Sequence, residues 1–188
     1  MITYQVQIAL KRFTPKIWRR LLIPSELLLS DFHKVIQTSM GWENYHLHQF
    51  IKDGTFYTIR IKEDEFWDEM RNVDYKKIKV SDLLKNEKDK IIYEYDFGDG
   101  WEHDIILEKI IFDDTSKVTP TCIAGKMNCP PEDCGGVWGY ADLLKIISSP
   151  KHKEYKEMIE WLGGKFNPEY FSIDVVNQLL KKKNFGCY

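Results

Sequence analysis

The strongest fold signal in this chain is residues 90–111, which read KIIYEYDFGDGWEHDIILEKII. Apolar and polar residues alternate on both sides of Gly98-Asp99-Gly100, and a period of two is typical of a β-strand with one buried face. Glycine and aspartate are the residues that tight turns favour. The stretch therefore predicts a β-hairpin with strands over 90–97 and 101–111.

The chain before this hairpin predicts further strands and one helix. Residues 4–8 and 17–23 read as an opening pair of strands. Ser30 is the predicted N-cap of a helix over 31–39, which Gly41 ends.

Two short strands, over 46–52 and 56–61, are predicted next because they flank the hairpin dipeptide Asp53-Gly54. Residues 62–79 are charged and predict an irregular surface excursion. After the main hairpin, residues 113–139 predict a long loop rich in proline, glycine and cysteine.

The C-terminal part predicts helices over 140–147 and 151–162 and a last helix capped by Ser172. Strands come first and helices last, which favours an α+β class over a doubly wound sheet. We expect a single domain over 1–188, with a mostly antiparallel sheet of β-hairpins. One helix should follow the second strand, and the helical C-terminal part should pack on the sheet.

Composition limits the function classes. A chain of 188 residues with 43% hydrophobic residues can bury a full core. The net charge of −2 argues against bulk capture of nucleic acid, which requires a concentrated positive field. No run approaches the roughly 18–20 apolar residues of a membrane-spanning helix, and the N-terminus lacks a signal-peptide pattern. We therefore expect a cytoplasmic protein with no membrane partner, whose cysteines are reduced thiols or metal ligands.

Four ordered blocks stand out along the sequence. They are PKIWRRLLIP at 15–24; IQ, MGW and HLHQF within 36–50; YDFGDGWEH with LE within 95–108; and CIAG, CPPEDCGG and GY within 122–140, completed by WLG and FNPE within 161–169. On these blocks the chain resembles the plasmid pRiA4b ORF-3-like family, also known as passenger proteins of insertion elements. The resemblance spans essentially the whole chain and implies a fold and an association with mobile genetic elements. It implies no established activity, so it names no catalytic residue.

The hairpin offers the first candidate site. Trp101 and His103 share one face of the predicted strand because side chains alternate. Asp96 or Asp99, near the turn, could accept a hydrogen bond from the imidazole. One interpretation is a carboxylate–histidine pair that lines a pocket and holds a metal or moves a proton. The other is a turn aspartate beside a satisfied core histidine.

His46 and His48 are a second candidate, because residues two apart in a strand share a face. Two imidazoles on one face suit a divalent metal such as zinc. A third ligand from His103, Asp96 or Glu132 would be needed. Without one, these are packing or surface histidines.

Cys122, Cys129 and Cys134 crowd into the loop over 113–139. Their spacers are longer than those of a CxxC zinc knuckle, so they permit a zinc site without requiring one. A fourth ligand would have to come from elsewhere in the chain.

Glu132 and Asp133 follow two prolines and precede two glycines. Each proline restricts φ and the residue before it, so the arm is stiff and could direct both carboxylates into a site. The alternative is that these carboxylates stabilise the N-terminus of the following helix.

Arg19 lies in the sequence Trp18-Arg19-Arg20, which predicts an exposed cation pair. One arginine could bind a phosphate or carboxylate through two parallel hydrogen bonds. The alternative is an edge strand with solubilising charges. Tyr140 closes the fourth block and is a further lining candidate.

Two hypotheses follow. In the first, a polar pocket lies between residues 95–103 and 122–139, binds an unknown small ligand and could hold a divalent metal, which would supply activated water for hydrolysis. Its predicted lining is Asp96, Asp99, Trp101, His103, Glu132, Asp133, Arg19 and Tyr140. In the second, the chain is a non-catalytic accessory module of mobile elements that binds protein or nucleic acid. No phosphate-binding loop, nucleophile elbow or HExxH motif is present, so the sequence assigns no reaction.

Overall fold

The computed structural model describes residues 2–60, 71–112 and 118–187. The strands are β1 Ile2–Leu10, β2 Trp18–Pro24, β3 His48–Lys52, β4 Thr55–Thr58, β5 Asn72–Asp74, β6 Lys90–Tyr95, β7 Trp101–Phe112 and β8 Thr121–Lys126. The helices are α1 Leu29–Met40, α2 Val80–Leu83, α3 Gly136–Ser148, α4 Tyr155–Trp161 and α5 Ile173–Leu180. Two short 3-10 turns cover Tyr75–Lys77 and Lys183–Gly186.

The described strands form one eight-stranded sheet in the order β5-β4-β3-β6-β7-β1-β2-β8. Every pairing of neighbouring strands is antiparallel except the one between β4 and β5. The hairpin of β6 and β7 lies near the centre, with Tyr93 opposite His103 and Tyr95 opposite Trp101. The predicted α+β class, with hairpins, one helix after the second strand and C-terminal helices, is confirmed.

Helix α1 packs its apolar face into the core. Phe32, Val35 and Ile36 are fully buried there, and their three- and four-residue spacing puts them on one side of the helix. The helix ends at Gly41, whose φ of 111° is in the left-handed region that favours glycine. From Gly41 the chain turns towards β3, and this connection carries the site described below.

Several local predictions need correction. Ser30 is not the N-cap of α1, because the helix begins at Leu29 and Leu28 occupies the cap position without a side-chain bond. Within 113–139, predicted as a loop, β8 forms because it pairs with β2, a long-range contact that leaves little local signal. Helix α3 also begins earlier than predicted, at Gly136.

Part of the predicted excursion over 62–79 lies outside the described residues, as does Ile61 at the end of the predicted fourth strand. The described part of the excursion contains β5 and a 3-10 turn. Ser172 caps α5 as predicted, since its hydroxyl accepts a hydrogen bond from the backbone N–H of Val175. Among the described residues, the helices are too short or too polar to cross a bilayer.

Candidate functional site

Three segments converge on His46. His46 lies in the α1–β3 connection, and Asp96 lies at the β6–β7 turn. Asp133 lies just before α3 in the segment 130–133, which we call the proline arm. Nε2 of His46 is 3.2 Å from Oδ1 of Asp133 and 3.8 Å from Oδ2 of Asp96. One ligand atom from each of the three lies within 4.8 Å of the others, and the described part of the chain contains one such group. Such a group of donors could hold a metal ion.

Glu132 adds a fourth donor to this group. Its Oε2 is 3.8 Å from Nε2 of His46. Both of these atoms are buried and lack a hydrogen-bond partner within the described residues. Burial also raises the pKa of Glu132 above its usual value. Most buried polar atoms in proteins have hydrogen-bond partners, so two unpaired atoms this close together are unusual.

The turn conformation orients Asp96. Its φ of 56° is left-handed, and Oδ1 accepts hydrogen bonds from the backbone N–H groups of Gly98 and Asp99 at 3.0 and 3.3 Å. With Oδ1 engaged in the turn, Oδ2 is the atom that lies near His46. The Asp96 side chain is only 9% exposed, so its carboxyl group is largely shielded from solvent.

Asp99 joins the hairpin turn to the proline arm. Its Oδ2 accepts a hydrogen bond from the backbone N–H of Gly135 at 3.1 Å. At Gly136, a Cβ atom would lie 2.4 Å from the carbonyl oxygen of Asp99, so only glycine permits this approach. The contact explains why Glu132 and Asp133, in a distant part of the chain, reach the end of the hairpin.

A closed network of hydrogen bonds holds the connection that carries His46. The side-chain amide of Gln37 donates a hydrogen bond to the hydroxyl of Tyr93, and this hydroxyl forms a hydrogen bond with Nδ1 of His33. Nε2 of His33 bonds the side-chain oxygen of Asn44, and the backbone N–H of Asn44 donates back to Gln37. This network of hydrogen bonds is consistent with a neutral His33 imidazole that carries its proton on Nε2. Because its members are in helix, strand and loop, it fixes the loop against the core.

A cleft of about 430 Å³ adjoins this group. Glu132 and Asp133 belong both to the group and to the cleft wall. The rest of the described wall is mostly aromatic or small and includes no lysine or arginine: Gly41, Trp42, Glu43, Tyr45, Asn128, Cys129, Pro130, Pro131, Trp161, Leu162 and Phe166. A molecule in this cleft would therefore lie beside Glu132 and Asp133, two of the four donors.

His48, the second histidine of the predicted pair, lies elsewhere. Strand β3 begins at His48, so His46 precedes the strand and the two do not share a strand face. The His48 ring stacks on His33 with centroids 3.4 Å apart, and its Nε2 is 2.5 Å from the hydroxyl of Tyr75. Burial lowers the pKa of His48 to about 2. It is a neutral packing histidine.

His103 and Trp101 are fully buried in the core. Nδ1 of His103 is 3.3 Å from the carbonyl oxygen of Tyr93, and its ring meets Trp42 edge-on at 5.1 Å. Burial lowers the pKa of His103 to about 4. The hydrogen bond goes to the backbone rather than to Asp96 or Asp99, and Nε2 of His103 is buried without a hydrogen-bond partner among the described residues. His103 is therefore a core histidine that is satisfied on one nitrogen only.

The three loop cysteines do not form a metal-ligand group among the described residues. Cys122 and Cys129 are buried and Cys134 is half-buried. Burial raises the pKa of all three thiols, that of Cys134 to about 12. All three are therefore protonated thiols at neutral pH in the metal-free protein.

Arg19 is buried, with 1% of its surface exposed, and this corrects the predicted exposed cation pair. It donates hydrogen bonds to the carbonyl oxygens of Ser39, Trp18 and Lys126 at 2.7, 2.8 and 3.0 Å. Tyr140 is also fully buried and packs its ring 4.9 Å from that of Phe13. Neither residue belongs to the group around His46.

Sequence reasoning missed three residues of the site. Tyr95 donates a hydrogen bond to Oε1 of Glu132, and the backbone N–H of Glu43 donates to the same oxygen. The hydroxyl of Tyr95 also accepts from the backbone N–H of Tyr45. The position of Tyr95 directly before Asp96 was the available clue, because it lies at the same strand end.

Comparison with known proteins agrees with this fold. The model of the "Plasmid pRiA4b ORF-3-like protein" family matches residues 2–175. An uncharacterised protein, y4hQ of Sinorhizobium fredii (strain NBRC 101917 / NGR234), is 32% identical over 161 residues, which cover 85% of this chain and 80% of the relative. A crystal structure of a protein of unknown function, MM3350 from Methanosarcina mazei Go1, is 39% identical. Its TM-score is 0.78, and the match covers 92% of this chain and 96% of that one. The chain therefore belongs to the plasmid pRiA4b ORF-3-like protein family.

Proposed function

We propose that this protein binds a divalent metal ion through His46, Asp96, Glu132 and Asp133, and that the adjoining cleft takes a small ligand beside the metal. The observation that carries the proposal is a pair of buried atoms, Nε2 of His46 and Oε2 of Glu132, which lie 3.8 Å apart and make no hydrogen bond among the described residues. A cation between them would satisfy both atoms and neutralise the surrounding carboxylates.

The spacing of the donors suits a metal with a small adjustment. Metal–nitrogen and metal–oxygen bonds of about 2.0–2.2 Å put neighbouring ligand atoms roughly 3.0–3.5 Å apart. His46 and Asp133 already meet this spacing at 3.2 Å, whereas Asp96 and Glu132 lie at 3.8 Å from the same nitrogen. One imidazole with three carboxylates suits zinc, manganese or iron better than a thiolate-seeking metal.

The cleft supports ligand binding next to this ion. Since Glu132 and Asp133 line both the cleft and the donor group, a ligand there would be in reach of the metal's open positions. A metal in such a site polarises a ligand oxygen or lowers the pKa of bound water, which makes hydrolysis the natural chemistry.

Metal analysis tests the proposal directly. Untagged protein, purified without a nickel column and incubated with Zn²⁺ or Mn²⁺, should retain near-stoichiometric metal after dialysis. His46→Ala should weaken binding by about 100-fold or more, since it removes the sole nitrogen donor. The matched control is His152→Ala, at an exposed histidine remote from the site in sequence. Wild-type protein that retains neither metal, or equal retention by His46→Ala, would refute the site.

A second candidate function is a protein-binding accessory module. Trp138, near the N-terminus of α3, is 85% exposed, and Tyr45 is 69% exposed. Exposed large aromatic side chains are enriched at protein interfaces. Trp138→Ser should leave metal retention unchanged and abolish partner binding in a two-hybrid or pull-down comparison. A gel shift with DNA or RNA at low salt tests the nucleic-acid version, which the acidic cleft disfavours.

A further inference from the structure

A separate, smaller cavity lies between the C-terminal end of α1 and helix α5. Its volume is about 120 Å³. Its wall includes the polar residues Arg19, Thr38 and Asn128 and the apolar residues Val175, Val176 and Leu179. The four proposed metal donors are not part of this wall.

The charge of Arg19 lacks a carboxylate partner in the described residues. None of the salt bridges among the described residues involves Arg19, and only 1% of the surface of Arg19 is exposed. Four hydrogen bonds, all to backbone carbonyls, leave one of its five N–H groups over, and the bond from Nη2 to Met40 is long at 3.4 Å. Phe171 stacks on the guanidinium at 4.1 Å. A buried cation without a counter-charge is costly, and burial lowers the pKa of Arg19 accordingly.

Thr38 contributes a second unsatisfied group to the same wall. The residue is 7% exposed, and its Oγ1 is buried without a hydrogen-bond partner in the part of the chain that the structure describes. A buried hydroxyl normally forms a hydrogen bond, because an unpaired hydroxyl loses its hydrogen bonds to water without replacing them. An anion in the cavity would accept from both the hydroxyl and the guanidinium.

We propose that this cavity binds a small aliphatic carboxylate. Its carboxylate would pair with Arg19 and Thr38, and its hydrocarbon part would contact Val175, Val176 and Leu179. The single cation matches a single negative charge, and the apolar face favours a short alkyl chain over inorganic phosphate. The site contains none of the four proposed metal donors and stands whether or not metal is bound.

Calorimetric titration with butyrate, in buffer free of chloride and other carboxylates, tests the assignment. Butyrate should bind at a single site, with a Kd of about 1 mM or tighter, and raise the melting temperature. Butyramide has the same shape without the charge and should not bind. Thr38→Val keeps the side-chain shape and should weaken butyrate binding about tenfold, the effect of a lost hydrogen bond to a charged group.

Two controls separate this site from other effects. Thr55→Val, on β4 near the opposite edge of the sheet from β2, should leave the butyrate affinity unchanged. His46→Ala should also leave it unchanged, whatever its effect on metal. The proposal would be overturned if butyrate does not bind or if butyramide binds equally well. Binding of phosphate in place of butyrate, or an unchanged butyrate affinity in Thr38→Val, would also overturn it.

Discussion

The hydroxyl of Tyr95 donates a hydrogen bond to Oε1 of Glu132 at 3.0 Å, and so connects the end of β6 to the proline arm. The same hydroxyl accepts from the backbone N–H of Tyr45 at 3.0 Å. One phenol therefore positions two of the three segments that meet at His46, and its removal should disturb both.

Tyr95→Phe is predicted to destabilise the protein and weaken metal binding together. The change leaves Glu132 short of a donor and Tyr45 short of an acceptor, which should cost about 1–3 kcal/mol of unfolding free energy. Urea unfolding and metal titration measure the two effects. Tyr155→Phe, on a half-buried tyrosine of α4, is the control. A variant with normal stability and normal metal affinity would show that the phenol does not hold the site.

Glu132→Gln is predicted to stabilise the metal-free protein and abolish its metal affinity. Burial raises the folded-state pKa of Glu132 above the usual 4.5. The native state then holds a proton that the unfolded state has lost, so this contribution to stability disappears as the pH rises through the raised pKa. Glutamine removes the buried charge and keeps an oxygen for the bonds from Tyr95 and Glu43.

Melting temperatures of both metal-free proteins between pH 4.5 and 8 check this. The difference should grow with pH to the order of 1 kcal/mol, or about 2–4 °C for a chain of this size. The metal affinity of the wild type should rise over the same range, because the metal requires the ionised carboxylate. Glu157→Gln, at an exposed position on α4, should change neither quantity. A pH-independent difference would contradict the prediction.

The buried histidines are predicted to make the protein sensitive to acid. Burial lowers the pKa of His33 and His103 from 6.5 to about 4 each. Their contribution to stability is complete above pH 6.5 and is lost as the pH falls towards 4, because the unfolded state binds protons first. Each should add a slope of up to about 1.4 kcal/mol per pH unit.

His103→Leu should reduce that slope by about the share of one histidine, on the order of 1 kcal/mol per pH unit. The measurement is the unfolding free energy in urea at a series of pH values from 7.5 to about 4.5. His152→Gln, at an exposed histidine, should retain the wild-type slope. An unchanged slope in His103→Leu would mean that the pKa of His103 is the same in the folded and unfolded chain.

Gly136→Ala is predicted to separate the hairpin from the proline arm. Gly136 and Gly163 have almost the same φ, 66° and 68°, so alanine is strained similarly at both. A Cβ at Gly136 would also lie 2.4 Å from the carbonyl oxygen of Asp99, whereas Gly163 has nothing within 4 Å. Gly136→Ala should therefore cost about 1–3 kcal/mol more than Gly163→Ala. It should also weaken metal binding, and equal effects of the two changes would argue against a tight junction.

Individual residues show how far the sequence could predict the site. Asp96, Glu132 and Asp133 were candidates because turn and proline patterns are local, and such patterns restrict the backbone without tertiary contacts. His46 was a candidate for a different reason, its spacing from His48, and that reasoning failed because β3 begins at His48. Arg19 looked exposed because alternation gives the two faces of a strand but not what covers each face. Helix α5 and Phe171 cover that face.

The amino-acid sequence alone determined the hairpins, the end of α1 at Gly41, the stiffness of the proline arm and the family. Each depends on neighbouring residues or on an ordered set of short motifs. Tertiary structure alone decided that His46, and not His103 or His48, meets the carboxylates. The reason is physical: which imidazole is buried and bonded, and which is left facing acids, depends on contacts among three segments far apart in the chain. Such contacts form only when the core packs and the Asp99–Gly135 junction closes.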